Sequence, residues 1–312
     1  MTEQIFDAAL ALLVLGVGAW SMLAGRITSA VIIFIVYGLL LSLVWVRIAA
    51  IDVALTEAAI GSGATGMLLI AAAYKTGRES GARETVSGSL HVIAVLLASS
   101  VALGLASLAF VLPGEPVSLA GDVLRSLPDS GLGNPVAGVL FVYRSFDTLL
   151  EKIVLLVALL GVWSLGSDRD WGGIPGLEPF AQKHSVLVLL ARTLPPIGLT
   201  YAIYMTWVGA DVPGGAFQGG TVLAAMWVLV MLAGVRQIPR LSSPALRAAI
   251  VAGPVVFLVI GFWGFVSPGQ FLAYPQGFAK PLIVAMEIAL TLSIGVILGL
   301  LIAGPSNGRD AR

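Results

Sequence analysis

Three glutamates lie inside segments that are otherwise apolar, and they are the residues best suited to chemistry. Glu57 stands in "DVALTEAAIGSGATG", Glu151 in "YRSFDTLLEKIVLL" and Glu287 in "AKPLIVAMEIALTLSIG". A charged group in the middle of a membrane helix costs about 2.5–3.5 kcal/mol even on the scales that give the smallest penalty. Carboxylates kept at such positions usually exchange a proton or bind a cation. The three glutamates are therefore candidate ion-translocation sites.

The residues around Glu57 predict a distorted helix. Glu57, Gly61 and Thr65 share one helical face, and nearby glycines weaken the helix, so we expect a π-bulge or local unwinding. Glu57 could instead be a packing carboxylate satisfied by a neighbouring helix. Asp52, near Arg47, is either a tuning group or simply an N-terminal cap or first-turn acid. "GSGATG" is not a dinucleotide site, because no strand precedes it.

The second acidic segment combines both charges with the spacing of one helix face. Its members at i, i+3, i+4 and i+7 are Arg144, Asp147, Thr148 and Glu151, and Lys152 follows directly. Glu151 is the deeper acid and the better functional candidate, with Arg144 and Asp147 tuning it. The alternative is an interfacial salt bridge that only anchors the helix.

The third acidic segment places a cation and an acid along one stripe. Lys280 begins the helix, and Glu287 lies seven residues on, roughly 10 Å deeper at 1.5 Å per residue. Thr291 is the next residue on that face. This separation is too long for a direct ion pair between Lys280 and Glu287. An interaction between them would need a water or a partner from another helix.

Two further segments could shape a path without ionisable groups. Pro195 and Pro196 kink their helix and free carbonyls that could line a cation or water path, although a plain structural kink is the alternative. Residues 209–222, "GADVPGGAFQGGTV", are expected to form a tight loop that lacks the Lys-Ser/Thr of a phosphate loop. Its four key glycines are Gly214, Gly215, Gly219 and Gly220.

The composition requires a membrane to hold these segments. The 312 residues are 58% hydrophobic and only 11% charged, against about a quarter charged in soluble domains. The formal net charge is zero, so nucleic acid is not a favoured partner. There is no cysteine, and the two histidines are far apart. We therefore expect no cofactor and no fixed metal site, with Na⁺ held only transiently.

The hydropathy pattern predicts an all-α, polytopic membrane protein with about nine spans. The spans cover roughly residues 5–24, 28–48, 52–74, 88–112, 147–166, 184–208, 219–238, 245–266 and 281–303. They divide into a three-helix region (1–80), a two-helix region with a long outer loop (81–180) and a four-helix region (181–312).

Several segments resemble the Mrp-type multisubunit sodium/proton antiporters. "DVALTEAAIGSGATG" resembles the C-terminal membrane region of their large A subunit, which is a separate small subunit in membrane-bound hydrogenases. "NPVAGVLFVYRSFDTLLEKIVLLVALLGVWSL" resembles the piece that follows, with Arg144, Phe-Asp-Thr at 146–148 and Glu151 in the family's order. "GADVPGGAFQGGTVLAA" and "KPLIVAMEIALTLSIG" resemble the B subunit. Leu150 and Lys152 depart from the small and apolar residues usual around that glutamate.

The resemblance implies a fused, non-catalytic subunit of an ion-translocating complex related to respiratory complex I. Residues 1–180 would be A-subunit-like and residues 181–312 B-subunit-like. Partners would be large antiporter-like subunits and other small membrane subunits in the cell's inner membrane. The alternatives are a membrane-arm subunit of a redox complex such as a membrane-bound hydrogenase, a self-sufficient secondary transporter, and a structural scaffold.

The distribution of basic residues predicts the topology. With the N-terminus outside and the C-terminus cytoplasmic, eleven Lys and Arg residues fall on the inner side and five on the outer side. A cytoplasm-active reporter fused after Tyr74 and a periplasm-active reporter fused after Gly114 should therefore both give signal. Signal from the two opposite fusions instead would reverse the predicted orientation.

Overall fold

The computed structural model describes residues 2–75, 88–112, 118–167, 169, 171–177, 179 and 186–306. Within them the regular structure is helical, apart from one isolated bridge between Pro175 and Ser306. The α-helices are α1 Thr2–Leu23, α2 Ile27–Arg47, α3 Ile51–Thr56, α4 Thr65–Lys75, α5 Gly88–Val111, α6 Ala120–Ser126, α7 Pro135–Gly138, α8 Ser145–Ser164, α9 Val186–Val208, α10 Ala216–Leu232, α11 Pro244–Val266 and α12 Ala279–Ala303. The predicted all-α, polytopic class is confirmed.

Seven helical stretches are long and apolar enough to cross a membrane, among the described residues. They are α1, α2, the stretch Ile51–Tyr74, most of α5, α9, α11 and α12. The other two predicted spans correspond to α8, which carries three charged residues in its first half, and to the shorter α10. The count of nine and the outward N-terminus stay predictions.

The predicted seventh span, 219–238, is wrong at both ends. The helix α10 begins at Ala216 and ends at Leu232. Gly234 has φ +64 and its N–H donates to Met231, while the Val235 N–H donates to Val230. These two bonds are the Schellman pattern, which stops a helix at a glycine whatever the hydropathy of the residues beyond it.

A π-helix interrupts the third span where the sequence predicted a distortion. Residues Glu57–Ala64 join α3 to α4 in π geometry, and the Thr65 hydroxyl donates to the Ile60 carbonyl at 2.9 Å. The helix α2 packs on this π-helix through Gly38, where an added Cβ would collide with the Ser62 hydroxyl. The predicted π-bulge is confirmed.

A second distortion precedes α8 and was not predicted. The segment after α7 is a π-helix, Val139–Tyr143, and Arg144 then leaves helical geometry with φ −131°. Arg144 is therefore the cap before α8 and not part of one continuous helix with the residues after it, although it still pairs with Asp147 at i+3. The hydroxyl of Thr148 donates to the Leu140 carbonyl at 2.6 Å, so α8 satisfies a carbonyl of the π-turn beside it.

The loop between α11 and α12 stabilises this second distortion through a hydrogen bond. The phenol of Tyr274 donates to the Phe141 carbonyl at 2.8 Å. Burial raises the pKa of Tyr274, because the phenolate would lose its hydration. The neutral phenol therefore remains the donor, and this bond does not titrate near neutral pH.

The core lies around α12, which packs against α8, α9, α10 and α11. Its buried residues include Ile283, Met286, Leu290 and Ile294. By contrast, every described side chain of α5 is exposed. The apolar surface of α5 must be covered by lipid or by another protein, because water would be unfavourable there.

Close approach of α10 and α12 depends on Gly220, where an added Cβ would lie 2.8 Å from the Cβ of Ile294 and 3.1 Å from the Thr291 carbonyl oxygen. Gly220→Leu should overpack this interface and cost about 1–3 kcal/mol. We expect a lower midpoint of thermal unfolding in detergent. Gly161→Leu is the matched control, because nothing lies within 4 Å of an added Cβ there. Equal midpoints for the two variants would contradict this packing.

Candidate ion-translocation site

A cavity of about 340 Å³ lies where α3, the α7 segment, α8, α10 and α12 meet. Four ionisable side chains line it: Asp52, Glu151, Lys152 and Glu287. Three of these were candidate residues in the sequence, and they come from separate spans. Lys152 was noted in the sequence but not chosen as a site residue.

Glu287 is the most deeply buried carboxylate of the cavity. Only 2% of the residue is exposed, and among the described groups its Oε2 has no hydrogen-bond partner. This carboxylate lies at the N-terminus of α10: a Cβ on Gly215 would be 2.9 Å from its Oε1, and Ala216, the first residue of α10, lines the same cavity. A helix N-terminus favours negative charge, so α10 stabilises one oxygen of Glu287 and leaves the other open.

A pair of buried hydroxyls continues from Glu287 along α12. The Thr291 hydroxyl donates to the Glu287 carbonyl at 2.8 Å and lies 2.9 Å from the Thr206 hydroxyl of α9. The Thr206 hydroxyl also lies 2.8 Å from the Ala202 carbonyl, as donor. Buried polar groups therefore continue for one helical turn beyond Glu287.

Lys152 brings a positive charge into the cavity. The residue is 3% exposed, and its Nζ lies 3.5 Å from Glu151 Oε2 and 3.4 Å from the ring centroid of Phe217. Glu151 has about half of its side chain exposed. The sequence could have indicated this, because Ser145, Thr148 and Lys152 repeat at i, i+3 and i+7 and share the buried face of α8.

Asp52 joins α3 to the start of α10. Its Oδ1 accepts from the Gly214 N–H at 2.9 Å, and its carbonyl accepts from the Gln218 side chain at 3.3 Å. The same Gln218 nitrogen lies 3.2 Å from the Thr56 hydroxyl. Asp52 thus lies in the first turn of α3, as one of the two interpretations predicted. Its carboxylate, however, accepts a hydrogen bond from the loop before α10.

Arg47 does not pair with Asp52. Its guanidinium donates to Asp7 at 2.7 Å and reaches Glu3, both on α1. The proximity in sequence between Arg47 and Asp52 therefore has no counterpart in an ion pair. The break between α2 and α3, with Ala49 at φ +61, turns the chain between the two residues.

The loop between α9 and α10 is shorter and more strongly held than the sequence indicated. Gly214 and Gly215 belong to it, whereas Gly219 and Gly220 lie inside α10, which corrects the predicted loop of 209–222. The glycines inside α10 serve close packing: an added Cβ on Gly219 would collide with the Thr206 hydroxyl of α9.

Asn134 fixes this loop, and sequence reasoning missed it. The residue is 4% exposed, and its amide donates to the carbonyls of Gly209 at 3.0 Å and Val212 at 3.2 Å. Its side-chain oxygen accepts from the Val136 N–H and caps α7. The Asn-Pro sequence at 134–135 is a helix-start signal that could have indicated the cap.

Glu57, Gly61 and Thr65 lie outside the cavity. The Glu57 carboxylate folds over Gly61 and faces Gly38 of α2, where an added Cβ would lie 3.2 Å from its Oε1. Among the described residues Glu57 has no ion pair or side-chain hydrogen bond, and it is half-buried. It remains a separate candidate at the α2 interface.

The other candidate residues lie at the margins. Arg144 and Asp147 form an ion pair with large exposed fractions. Lys280 pairs with Asp211 at 2.6 Å and not with Glu287. Pro195 and Pro196 lie inside an uninterrupted α9, away from the cavity, and the Thr200 hydroxyl donates to the Pro196 carbonyl.

Asn134 offers a test of how the cavity wall is held. Asn134→Ala should leave the carbonyls of Gly209 and Val212 without their donor and loosen the loop, at about 1–3 kcal/mol for each unsatisfied group. The chain has no native cysteine, so a single Ala210→Cys, fully buried in the present fold, can report this. Maleimide labelling of Ala210→Cys should be slow in the otherwise unsubstituted chain and fast when Asn134→Ala is added.

The control adds Gln276→Ala, the loss of an exposed amide, and labelling should stay slow. Equally slow labelling with and without Asn134→Ala would contradict the role of Asn134.

Two separate regions of this chain each match a known protein family. Residues 6–78 match the MbhD family model, which describes a subunit of MBH, and residues 186–304 match a domain related to the MnhB subunit of a Na⁺/H⁺ antiporter. An uncharacterized protein of Methanocaldococcus jannaschii, MJ1307, is 26% identical over 154 residues, which are 45% of this chain and 59% of that protein. The chain thus matches about three fifths of this curated relative's length.

Two solved structures share the fold. The Mrp complex from Dietzia sp. DQ12-45-1b matches with a TM-score of 0.74 and 24% identity, over 97% of this chain and 35% of that chain. The membrane-bound sulfane sulfur reductase, an archaeal respiratory membrane complex, matches with a TM-score of 0.51 and 24% identity, over 68% of this chain and 97% of that chain. This chain therefore carries an MbhD-like region followed by a region related to MnhB.

Proposed function

We propose that this chain is a non-catalytic subunit of a multisubunit Na⁺/H⁺ antiporter-like complex, and that its cavity takes part in ion translocation. The observation that carries the proposal is Glu287, a buried carboxylate with one oxygen that has no partner among the described residues, at a cavity it shares with Asp52 and Lys152. A structural carboxylate at such depth is normally fully satisfied. An open oxygen beside a cavity is what proton or cation exchange requires.

The chemistry proposed for Glu287 is reversible protonation. In the charged state the carboxylate would be favoured by the N-terminus of α10 beside it and by the positive charge of Lys152 in the same cavity. In the neutral state the unpartnered Oε2 can carry the proton and face the cavity. The Thr291 and Thr206 hydroxyls lie next to each other, one helical turn beyond Glu287. They are proposed to orient the water or proton that leaves Glu287.

The proposed partners are the other membrane subunits of such a complex, in the cell's plasma membrane. The MnhB-related domain supports an antiporter assembly. The exposed surface of α5 supports it as well, because this helix buries no described side chain within the chain. An isolated transporter would be expected to pack all of its spans.

A redox-driven complex is the second candidate, because the N-terminal region matches the MbhD family. The translocation role would be the same and the energy source would differ. The subunits that co-purify with the chain in mild detergent distinguish the two, since redox subunits favour the second candidate. Recovery of a transport-active chain without partners would contradict both.

Substitution of Glu287 tests the translocation role directly. Glu287→Gln keeps the shape but cannot titrate, so the complex should assemble and lose ΔpH- or Na⁺-linked flux in everted vesicles. Glu287→Asp should keep part of the flux. Glu57→Gln in the π-helix should also lower flux if that half-buried carboxylate exchanges a proton or cation.

The control is Glu3→Gln, because the Glu3 side chain is 84% exposed and remote from the cavity. Its flux should equal that of the unsubstituted complex, and native gels confirm assembly for each variant. Normal flux in an assembled Glu287→Gln complex would show that the cavity is structural and that the chain acts as a scaffold.

A further inference from the structure

One corner of the cavity is built from oxygen atoms. Gly215 has φ +116, and a Cβ there would lie 2.9 Å from Glu287 Oε1 and 3.6 Å from Gln218 Oε1, so these two oxygens converge on its α-carbon. Glu287 Oε2 is buried and unpartnered among the described groups. Asp52 lines the same cavity. Hard cations are bound by such sets of carboxylate and amide oxygens.

The positive charge of this cavity comes from the protein itself. Among the described lining residues α3 supplies Asp52, α8 supplies Glu151 and Lys152, and α12 supplies Glu287. The α7 segment, the loop before α10 and α10 supply no ionisable lining side chain. Lys152 is therefore the one cation that faces three carboxylates in the described lining.

The Lys152 ammonium is held in place from two sides. Glu151 Oε2 lies 3.5 Å from its Nζ, and the face of the Phe217 ring lies 3.4 Å away at the first turn of α10. An ammonium over an aromatic face is attracted by the ring quadrupole, more strongly when water is excluded. The Lys152 side chain and the oxygen corner line the same cavity, and the ammonium does not extend into solvent, since Lys152 is 3% exposed.

We propose that the Lys152 ammonium takes the place of a metal cation in this cavity, so that the cavity exchanges protons and excludes Na⁺. The inference rests on the proposed function and adds its ion selectivity. A Na⁺ ion in the oxygen corner would lie near a like charge in a medium of low dielectric, where repulsion is strong. A proton on Glu287 neutralises that carboxylate and does not need to share the corner with the ammonium.

The test is to remove the charge and keep the side chain's length and apolar stem. Lys152→Met in the purified complex should raise the affinity for ²²Na⁺ about tenfold or more, a change of about 1.4 kcal/mol. The double variant Lys152→Met/Glu287→Gln should lose that gain, because the oxygen corner then lacks its buried carboxylate. Arg125→Met, at an exposed cation outside the cavity, should leave ²²Na⁺ binding unchanged.

A second substitution and a measurement on the unsubstituted complex cover the case in which Lys152→Met does not assemble. Lys152→Gln should give the same gain with a polar terminus. In the unsubstituted complex, carbodiimide should modify Glu287 at the same rate in Na⁺ as in choline buffer. Protection by Na⁺ would overturn the proposal, because it would show that Na⁺ already occupies the corner.

Two further outcomes separate this inference from the proposed function. If Glu287→Gln abolishes flux but neither Lys152 variant gains ²²Na⁺ binding, the selectivity role is wrong and the translocation role stands. If the assembled Lys152 variants bind ²²Na⁺ tightly while Glu287→Gln transports normally, the corner is a cation site and the translocation role is wrong.

Discussion

The constraint on which the site depends is that a charge buried in a low-dielectric bundle must be compensated nearby. Glu287 and Lys152 meet it across one cavity, with the N-terminus of α10 directed at the carboxylate and the Phe217 ring below the ammonium. The compensation is incomplete, because Glu287 Oε2 has no described partner. That open oxygen is the observation on which the proposed ion exchange at Glu287 rests.

Part of the irregular backbone of the described residues lies where the site is built. The π-helix Val139–Tyr143 and the turn at Arg144 let α8 start beside the cavity, and the loop before α10 brings Gly215 against Glu287. Irregular backbone at membrane depth is tolerated only where it is buried in protein or lines a cavity. Asn134 and Tyr274 supply the bonds that make this backbone tolerable, through the carbonyls of the loop and of Phe141.

The first π-helix has a different setting. Glu57 lies against α2 and not in the cavity, whereas Asp52 lines the cavity, so the same span carries two half-buried acids with different neighbours. Asp52 connects that span to the start of α10 through the Gly214 N–H. The Glu57–Ala64 helix directly continues α3, whose Asp52 lines the cavity.

Much of the architecture followed from residue types and their local order. Apolar runs of about 20 residues predicted helical spans, and glycines around Glu57 predicted the π distortion, because both are local consequences of hydrogen bonding and steric freedom. The cost of an ionisable group in lipid singled out Glu57, Glu151 and Glu287 as candidates, and of these Glu151 and Glu287 line the cavity. The end of α10 at Gly234 is also a local feature of the sequence, but the hydropathy pattern predicted a longer helix.

The pairing of these groups was decided by the tertiary structure alone. In the sequence Arg47 lies near Asp52, and Lys280 shares a helical stripe with Glu287. In the fold Asp52 accepts from Gly214, and Lys280 pairs with Asp211. Adjacent Glu151 and Lys152 look equivalent in the sequence, yet only Lys152 is buried in the cavity. The reason is that helix periodicity determines which residues share a face, while the rotation and contacts of separate helices decide what that face meets.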